Sequence, residues 1–406
     1  MRHSLSRAGL VLSAATLLAG VSAVAVAQSA LAAPQPAAAS LTAASASAAS
    51  SAGLLNAVAA VSARNVWAVG CSGKCNGPDS LVLHWNGEKW AKVASPDPGA
   101  GLDELTGVSA VSAGNVWAVG YACDTATCNV FRTLIVHWNG RKWSTVASPD
   151  PSPVSNLLYG VTAVSATDAW AAGSATPDAS TQPATSLVLH WNGKKWSRVH
   201  SPTASGASTT LYGVSAASAA DVWAVGNACI GCGAPGMTAD TFTMRWNGKK
   251  WSRVDGPGPS TGYNVLFGVK TLGPDNAWAV GDTPGSSGID ALIGHWNGKH
   301  WSQAASANPG SSFDDLKAVS ALSAGDVWAA GDQASGGLPY DTLTEQRAGG
   351  AWTAVASPDG TTTDINMVAG VAAISSSDVV AVGWTQTAAG YRVLILKWNG
   401  TRWAIA

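Results

Sequence analysis

Apolar residues in this chain fall in short runs that are separated by polar turn residues. Around the middle of the first half, two such runs occupy 158–164 and 169–172, with a Thr-Asp turn between them. After a longer loop a third run occupies 187–191, and an Asn-Gly dipeptide separates it from a fourth at 195–199. Asn-Gly is typical of a tight turn between antiparallel strands. The pattern therefore predicts four short strands in a meander.

The same pattern recurs about every fifty residues, marked by two phrases that alternate along the chain. The first phrase is D/N-x-W-A-x-G, and its Trp residues are Trp67, Trp117, Trp170, Trp223, Trp278 and Trp328. In a seventh copy Val380 replaces the Trp. The second phrase is W-N-G-x-x-W, and its copies begin at Trp85, Trp138, Trp191, Trp246, Trp296 and Trp398. A degenerate copy begins at Arg347.

Seven copies of a four-stranded unit predict an all-β protein, a seven-bladed β-propeller with four antiparallel strands in each blade. A small residue recurs in each first strand, so we expect the first strands to converge on a central axis. The blades are expected at about 54–96, 105–149, 158–202, 211–254, 266–304, 316–358 and 368–406.

The N-terminal residues predict export. A basic start and an apolar, Ala-rich run lead to small-residue cleavage patterns that end at Ala27 and Ala32. We expect a signal peptide at 1–32, a flexible leader at 33–53 and the propeller at 54–406. The alternative is a transmembrane anchor, since the run is about 20 residues long. The expected location is secreted and extracellular, with no membrane association after signal cleavage.

Two resemblances support the propeller over residues 54–406. The W-N-G-x-x-W phrase resembles a relaxed Asp-box of sialidase-type propellers, although Asn replaces the Asp and the Ser is absent. The V-W-A-V-G phrase at Trp67 is similar to the repeats of the photosystem assembly propeller family. These resemblances imply a fold and do not imply an activity.

The net charge of the chain bears on whether nucleic acid is a partner. The chain has 23 Lys and Arg against 24 Asp and Glu, which gives a formal net charge of −1. The overall field therefore gives no reason to expect nucleic acid as a partner. Most carboxylates fall in the loops after strands two and four, and many basic residues fall at the third turn, so we expect one acidic face and one basic face.

Comparison among the repeats separates fold from function. The Asp or Asn of each first turn is expected to bond nearby backbone, and the His before W-N-G is expected to be structural. Loops after strands two and four vary, so their face is the expected binding face. Irregular residues at the rim of that face are candidate ligand-binding residues: Tyr121, Tyr159, Tyr212, Asn227, Phe267, Asp282, Asp332 and Trp384. Aromatic rings beside amides and carboxylates are typical of a carbohydrate site, although each residue alone also fits a structural role.

Six cysteines form three local pairs in the loops after second strands. In an exported chain this spacing favours three disulfides, and a metal site would need pairs from different blades to meet. We expect neither a metal nor a cofactor. The expected disulfides are Cys71–Cys75, Cys123–Cys128 and Cys229–Cys232.

Three functions remain open from the sequence. The first is a non-catalytic, lectin-like propeller whose partner is a carbohydrate or cell-surface glycan. The second is a scaffold for other secreted protein subunits, because in layout the chain resembles the lectin-like propeller subunits of umbrella toxin particles. The third is a glycan-active hydrolase or lyase, for which Asp282 and Asp332 offer a carboxylate pair. No residue is assigned a catalytic role.

Overall fold

The computed structural model describes residues 52–406 except 74, 76–78, 126, 178–182, 233–235, 259–261, 287, 338, 362–364 and 389. The predicted signal peptide and almost all of the predicted leader lie outside the described residues. Gly53, the last residue of the predicted leader, already belongs to the first strand.

The described residues form 28 strands, which fall into seven consecutive groups of four, numbered here as blades 1 to 7. One parallel residue pair joins blades 2 and 3 and another joins blades 5 and 6, so the strands form five sheets. Blades 1 and 2 contain β1 (Gly53–Ser62), β2 (Asn65–Ser72), β3 (Ser80–Trp85), β4 (Trp90–Lys92), β5 (Asp103–Ser112), β6 (Asn115–Cys123), β7 (Phe131–Trp138) and β8 (Trp143–Thr145). Blades 3 and 4 contain β9 (Ser155–Ser165), β10 (Asp168–Thr176), β11 (Thr185–Trp191), β12 (Trp196–Arg198), β13 (Ser208–Ser218), β14 (Asp221–Ile230), β15 (Thr238–Trp246) and β16 (Trp251–Val254).

The remaining strands belong to blades 5, 6 and 7. Blade 5 contains β17 (Val265–Gly273), β18 (Asn276–Pro284), β19 (Ile289–Trp296) and β20 (Trp301–Ala304). Blade 6 contains β21 (Phe313–Ser323), β22 (Asp326–Ala334), β23 (Asp341–Ala348) and β24 (Ala351–Ala354). Blade 7 contains β25 (Ile365–Ser375), β26 (Asp378–Thr387), β27 (Gly390–Trp398) and β28 (Trp403–Ile405).

Within each blade, sequential strands pair antiparallel, which confirms the predicted all-β propeller architecture. The first strand of each blade carries a bulge opposite the Gly that ends the first phrase. In blade 2 the register shifts between Leu105 and Gly107. A Cβ at Gly120 would lie 1.8 Å from the backbone oxygen of Glu104. The phrase therefore needs Gly at this position because the neighbouring strand approaches too closely for a side chain.

First strands converge on the axis, as predicted. A Cβ at Gly107 would lie 2.9 Å from the backbone oxygen of Tyr159 in the next blade. Gly160 has the same relation to Tyr212, also at 2.9 Å. Only small residues fit where the blades meet most closely.

Large aromatic residues fill the space between neighbouring blades. The ring of Trp117 lies 5.0 Å from that of Trp191 and 5.3 Å from that of Trp196, both in the following blade. Trp117 is 1% exposed. Each apolar cluster therefore joins two blades, and burial of tryptophan supplies much of the hydrophobic contact between them.

Blade 7 packs directly against blade 1. Leu55 and Val58 share an apolar cluster with Val382 and Ile395. Ala52 also forms an antiparallel bridge with Arg392. Among the described residues, the ring closes through side-chain packing and this bridge.

The first-turn Asp and Asn residues differ from expectation in their bonding partners. Asn115 accepts a bond at 2.9 Å from the ring nitrogen of His137 in the third strand, rather than serving the turn backbone. Arg245 donates to Asp221 at 2.8 Å in the equivalent place in blade 4. The hairpin Asn serves the turn instead, since Asn139 accepts from the backbone amides of residues 141 and 142. These His, Asp and Asn residues therefore hold strands and turns together.

Candidate functional site

The inner ends of the first strands surround a cavity of about 180 Å³ on the axis. Asn56, Thr106, Tyr159 and Lys317 line it on the side of the variable loops, and recurrent small residues and valines line its deeper part. Each of these four side chains comes from the same position in a different repeat. The propeller symmetry thus brings together residues that lie in separate repeats of the chain.

Three aromatic rings form an arc beside this cavity. The ring of Tyr212 lies 5.2 Å from that of Tyr159 and 5.4 Å from that of Phe267. The Nζ of Lys317 lies 4.0 Å from the centroid of the Phe267 ring. All four residues are half-buried. We call Tyr159, Tyr212, Phe267 and Lys317 the axial arc.

Lys317 also belongs to a cluster of carboxylates. It donates a hydrogen bond to Asp315, its neighbour two residues away. Asp315 pairs with Asp332 across β21 and β22, and Asp282 contributes from blade 5. Asp315 and Asp332 are each 1% exposed. Three carboxyl groups thus lie around one ammonium group in a site with little solvent.

Burial dominates the electrostatics of this cluster. Burial, with the charge of Asp315 added, raises the pKa of Asp332 to about 8. The pKa of Asp282 is raised well above its usual range, first by burial and then by Asp315. The carboxylates in turn hold the pKa of Lys317 up at about 12 against the effect of burial. Neither oxygen of Asp332 has a hydrogen-bond partner among the described residues.

Two loop tyrosines complete this side of the rim: Tyr263 between blades 4 and 5, and Tyr340 between β22 and β23 of blade 6. Burial and the charge of Asp282 raise the pKa of Tyr263 to about 12, and its hydroxyl is hydrogen-bonded to Asn227. Burial and the charge of Asp332 raise the pKa of Tyr340. Both side chains are half-buried. Asn227 therefore meets the carboxylate cluster through Tyr263.

Tyr121 belongs to a separate polar group in blades 1 and 2. Its hydroxyl donates to Glu104 at 2.6 Å, and Asn56 donates to the same carboxylate at 2.9 Å. Burial raises the pKa of Glu104, and these two hydrogen bonds oppose that effect. Because Tyr121 is 2% exposed, its role here is to hold Glu104 and, through it, Asn56 at the cavity.

Trp384 lies apart from these groups. It is 5% exposed and packs with Leu54, Cys71 and Met367 where blade 7 meets blade 1. The Tyr391 ring lies edge-on to it at 5.1 Å. Of the eight candidate ligand-binding residues, the structure brings six around the axis, places Tyr121 in the separate group with Glu104 and leaves Trp384 in an inter-blade contact.

Sequence reasoning missed several members of the axial site. Asp315 and Glu104 precede the irregular position in their first strands, and only strand register shows that Asp315 faces Asp332 and Glu104 faces Tyr121. Tyr263 lies in a loop that joins two blades, where no repeat position marks it. The adjacent residues Asp314 and Asp315 could have indicated the site from the sequence, since two adjacent Asp residues at the start of a first strand occur in one repeat alone.

The three expected disulfides are formed: Cys71–Cys75, Cys123–Cys128 and Cys229–Cys232. They all lie in loops on the variable face, in blades 1, 2 and 4.

Within the described ranges, no group of three or more His, Cys, Asp or Glu residues is arranged to hold a metal ion. The same ranges contain no helix long and apolar enough to cross a membrane.

No family model matches the chain, and no curated protein matches it either. Among solved structures, it is similar to YCF48 bound to D1 peptide, with 13% identity, a TM-score of 0.47 and coverage of 86% of this chain and 93% of that chain. It is similar to the GH74 xyloglucanase from Xanthomonas campestris, with 12% identity, a TM-score of 0.45 and coverage of 86% and 60%. It is also similar to the SapL1 lectin in complex with alpha methyl fucoside, with 12% identity, a TM-score of 0.41 and coverage of 88% and 95%.

Proposed function

We propose that this chain is a secreted, non-catalytic binding propeller that recognises a carbohydrate at the axial cavity on the variable-loop face. The observation that carries the proposal is the axial arc, in which half-buried rings stand beside an ammonium group at the mouth of a cavity. Aromatic faces can pack on the C–H faces of a sugar, and polar side chains around them can bond its hydroxyls.

The size of the cavity favours a small group. Its volume of about 180 Å³ lies below the roughly 300–1,000 Å³ of pockets for drug-sized ligands. We therefore expect it to take one terminal sugar residue, with the rest of a glycan lying over the loops. The N–H and O–H groups of Asn56 and Thr106 are bonded within the fold, so their side-chain oxygens offer acceptors on one side. The Lys317 ammonium offers a donor on the other side. Tyr263 and Tyr340 stand at the rim above the carboxylates.

Burial favours binding over turnover. A general acid or base must come within hydrogen-bond distance of the proton that it transfers. Asp332 and Asp315 are each 1% exposed, and Asp282 is 8% exposed. A glycosidic oxygen could reach them only after the side chains that cover them move. The hydrolase or lyase alternative therefore needs a rearrangement that binding does not need.

A glycan array with the secreted, disulfide-bonded protein tests the proposal. We expect a defined set of glycans to bind, and we expect Tyr159→Ala and Lys317→Met each to weaken binding by about tenfold or more. Lys195→Met is the matched control, because it removes the same charge from a turn on the opposite face. Circular dichroism of each variant checks that the fold is retained. Equal binding by the arc variants and the control would contradict the placement of the site.

The alternative is a scaffold that docks other secreted subunits. The observation that favours it is the set of three disulfides, which fix loops on one face and so lower the entropic cost of presenting a rigid surface. A blank glycan array, together with a stoichiometric protein partner recovered by affinity purification from culture supernatant, would support this alternative.

A further inference from the structure

One contact is repeated at most junctions between blades. The first Trp of each hairpin phrase packs on the second-strand Trp of the preceding blade, and its indole N–H donates to the first turn of its own blade. For Trp138 the ring distance to Trp67 is 4.9 Å, and the bond to the Ala113 oxygen is 3.1 Å. The other ring pairs are Trp117–Trp191, Trp170–Trp246, Trp223–Trp296 and Trp328–Trp398.

In blade 6 an arginine replaces the first Trp of the hairpin phrase. Arg347 occupies the place of the indole, and its Cζ lies 5.0 Å from the centroid of the Trp278 ring in blade 5. Its Nη1 donates to the Ala324 oxygen at 2.5 Å. The guanidinium thus reproduces both contacts of the missing indole. Since a guanidinium carries five N–H donors, it keeps further donors for another partner.

The hairpin turn of blade 6 also lies farther from the first turn of its blade. In blades 1 and 3 a Cβ at the turn Gly would lie within 3 Å of the first turn, at 2.8 Å from Arg64 and 2.9 Å from Thr167. In blade 6, Gly349 and Gly350 have no atom within 4 Å of such a Cβ. Both have positive φ, 69° and 110°, which suits glycine. The glycines of this hairpin therefore leave open space beside the first turn.

A cavity of about 460 Å³ opens where the indole and the turn contact are missing. It lies between blades 5 and 6, on the face opposite the axial arc. Its volume is within the range of small-molecule sites. The polar and aromatic residues that line it are Asp275, Asn276, Trp278, His295, Asn297 and Arg347.

We propose that this cavity is a second binding site, and that it holds the carboxylate of an acidic saccharide. Arg347 lies at its wall with its orientation fixed by Trp278 and Ala324, and a fixed guanidinium suits bidentate binding of a carboxylate. The amide oxygens of Asn276 and Asn297 bond within the fold, so these residues offer N–H donors for sugar hydroxyls, and Asp275 offers an acceptor. Lys299, in the adjoining hairpin turn of blade 5, is exposed and adds positive charge at its edge. The proposal does not depend on the axial site.

Titration calorimetry with glucuronate oligosaccharides tests this site in the intact secreted protein, with neutral gluco-oligosaccharides as the charge control. We expect the acidic oligosaccharide to bind and the neutral one to bind at least about tenfold more weakly. Arg347→Trp restores the repeat, so we expect it to fold, to raise the melting temperature and to abolish binding. Arg347→Lys keeps the charge but loses the planar guanidinium that binds a carboxylate through two N–H groups. We expect its affinity for the acidic oligosaccharide to fall by about tenfold or more.

Two control variants distinguish binding at this cavity from a general charge effect. Arg402→Gln removes an exposed charge from the same face of blade 7, and Lys195→Met removes one from the same face of blade 3. Both variants should bind glucuronate oligosaccharides within about twofold of the natural chain. Absence of binding to the natural chain, or undiminished binding to Arg347→Trp, would overturn the proposal. Binding of a Glu-rich peptide in place of the saccharide would overturn the ligand class.

Discussion

Single residues at the axis set an unusual dependence of stability on pH. Asp332 has a pKa raised to about 8, against an ordinary value of 3.8, because it is buried beside Asp315. The folded chain therefore holds this proton more tightly than the unfolded chain does. Its contribution to stability is complete below the unfolded pKa and is lost as pH rises through the folded pKa. Asp282 shifts in the same direction, while Lys317 opposes the shift in both carboxyl groups.

Replacement of Asp332 by Asn tests this argument, since the amide keeps the shape of the protonated acid and cannot ionise. We expect the melting temperature of the natural chain to fall by roughly a few degrees between about pH 6 and pH 8.5. In Asp332→Asn that fall should be smaller, and the variant should be the more stable chain at the upper end of this range. The measurement is thermal unfolding by calorimetry. Asp79→Asn, at an exposed loop position, is the control and should follow the natural chain.

The Tyr121 hydroxyl gives a second prediction at the scale of a residue. In Tyr121→Phe the buried Glu104 loses its 2.6 Å hydrogen bond while the ring contacts remain. A buried acceptor without its donor costs about 1–3 kcal/mol. We expect a loss of that size in the free energy of unfolding, measured in urea. The half-buried Tyr391→Phe serves as the control, and an equal loss there would contradict the role of the Glu104 bond.

The sequence predicts the strands well where the seven repeats agree. It predicts the residues of the candidate site less completely. Comparison of seven copies placed Tyr159, Tyr212 and Phe267 at one rim, because strand position alone decides that. It could not show that Trp384 turns into the contact with Leu54 and Cys71, since that depends on what the neighbouring blade offers. Tyr263 escaped notice because loop conformation, which has no period, brings it to Asn227.

The disulfide loops give a prediction at the scale of an element. Cys229 and Cys232 close a loop with a sequence separation of 3, and in the chain-entropy account so short a loop contributes only about 2 kcal/mol. We expect Cys229→Ser/Cys232→Ser to lower stability by up to that amount. Cys71 is fully buried against Leu54 and Trp384, so Cys71→Ser/Cys75→Ser should cost more because a hydroxyl enters an apolar cluster. Thermal unfolding of both double variants provides the comparison, and equal losses would contradict it.

Among the described residues, two of the junctions between blades lack the ring contact between a second-strand Trp and the first Trp of the next hairpin phrase. At the junction of blades 5 and 6, Arg347 replaces the indole that would meet Trp278. At the junction of blades 7 and 1, Val380 replaces the second-strand Trp, and Lys397 lies over the ring of Trp85 at 5.2 Å. These two junctions are the two boundaries of the segment formed by blades 6 and 7. An aromatic pair contributes about 0.5–1.5 kcal/mol beyond its area, so each of these two boundaries lacks a contribution of that size. The cation–π contacts of Arg347 and Lys397 offset part of this loss.

We therefore expect blades 6 and 7 to open as one unit before the rest of the ring. Native-state hydrogen exchange, followed by mass spectrometry in increasing urea, should show β21–β28 exchanging together at a lower opening free energy than β5–β20. Arg347→Trp should restore one boundary and bring the exchange of blade 6 closer to that of blade 5. Arg402→Gln should leave the exchange pattern unchanged. Uniform exchange around the ring, or blade 7 opening without blade 6, would show that the tryptophan pairs do not set the boundaries of local unfolding.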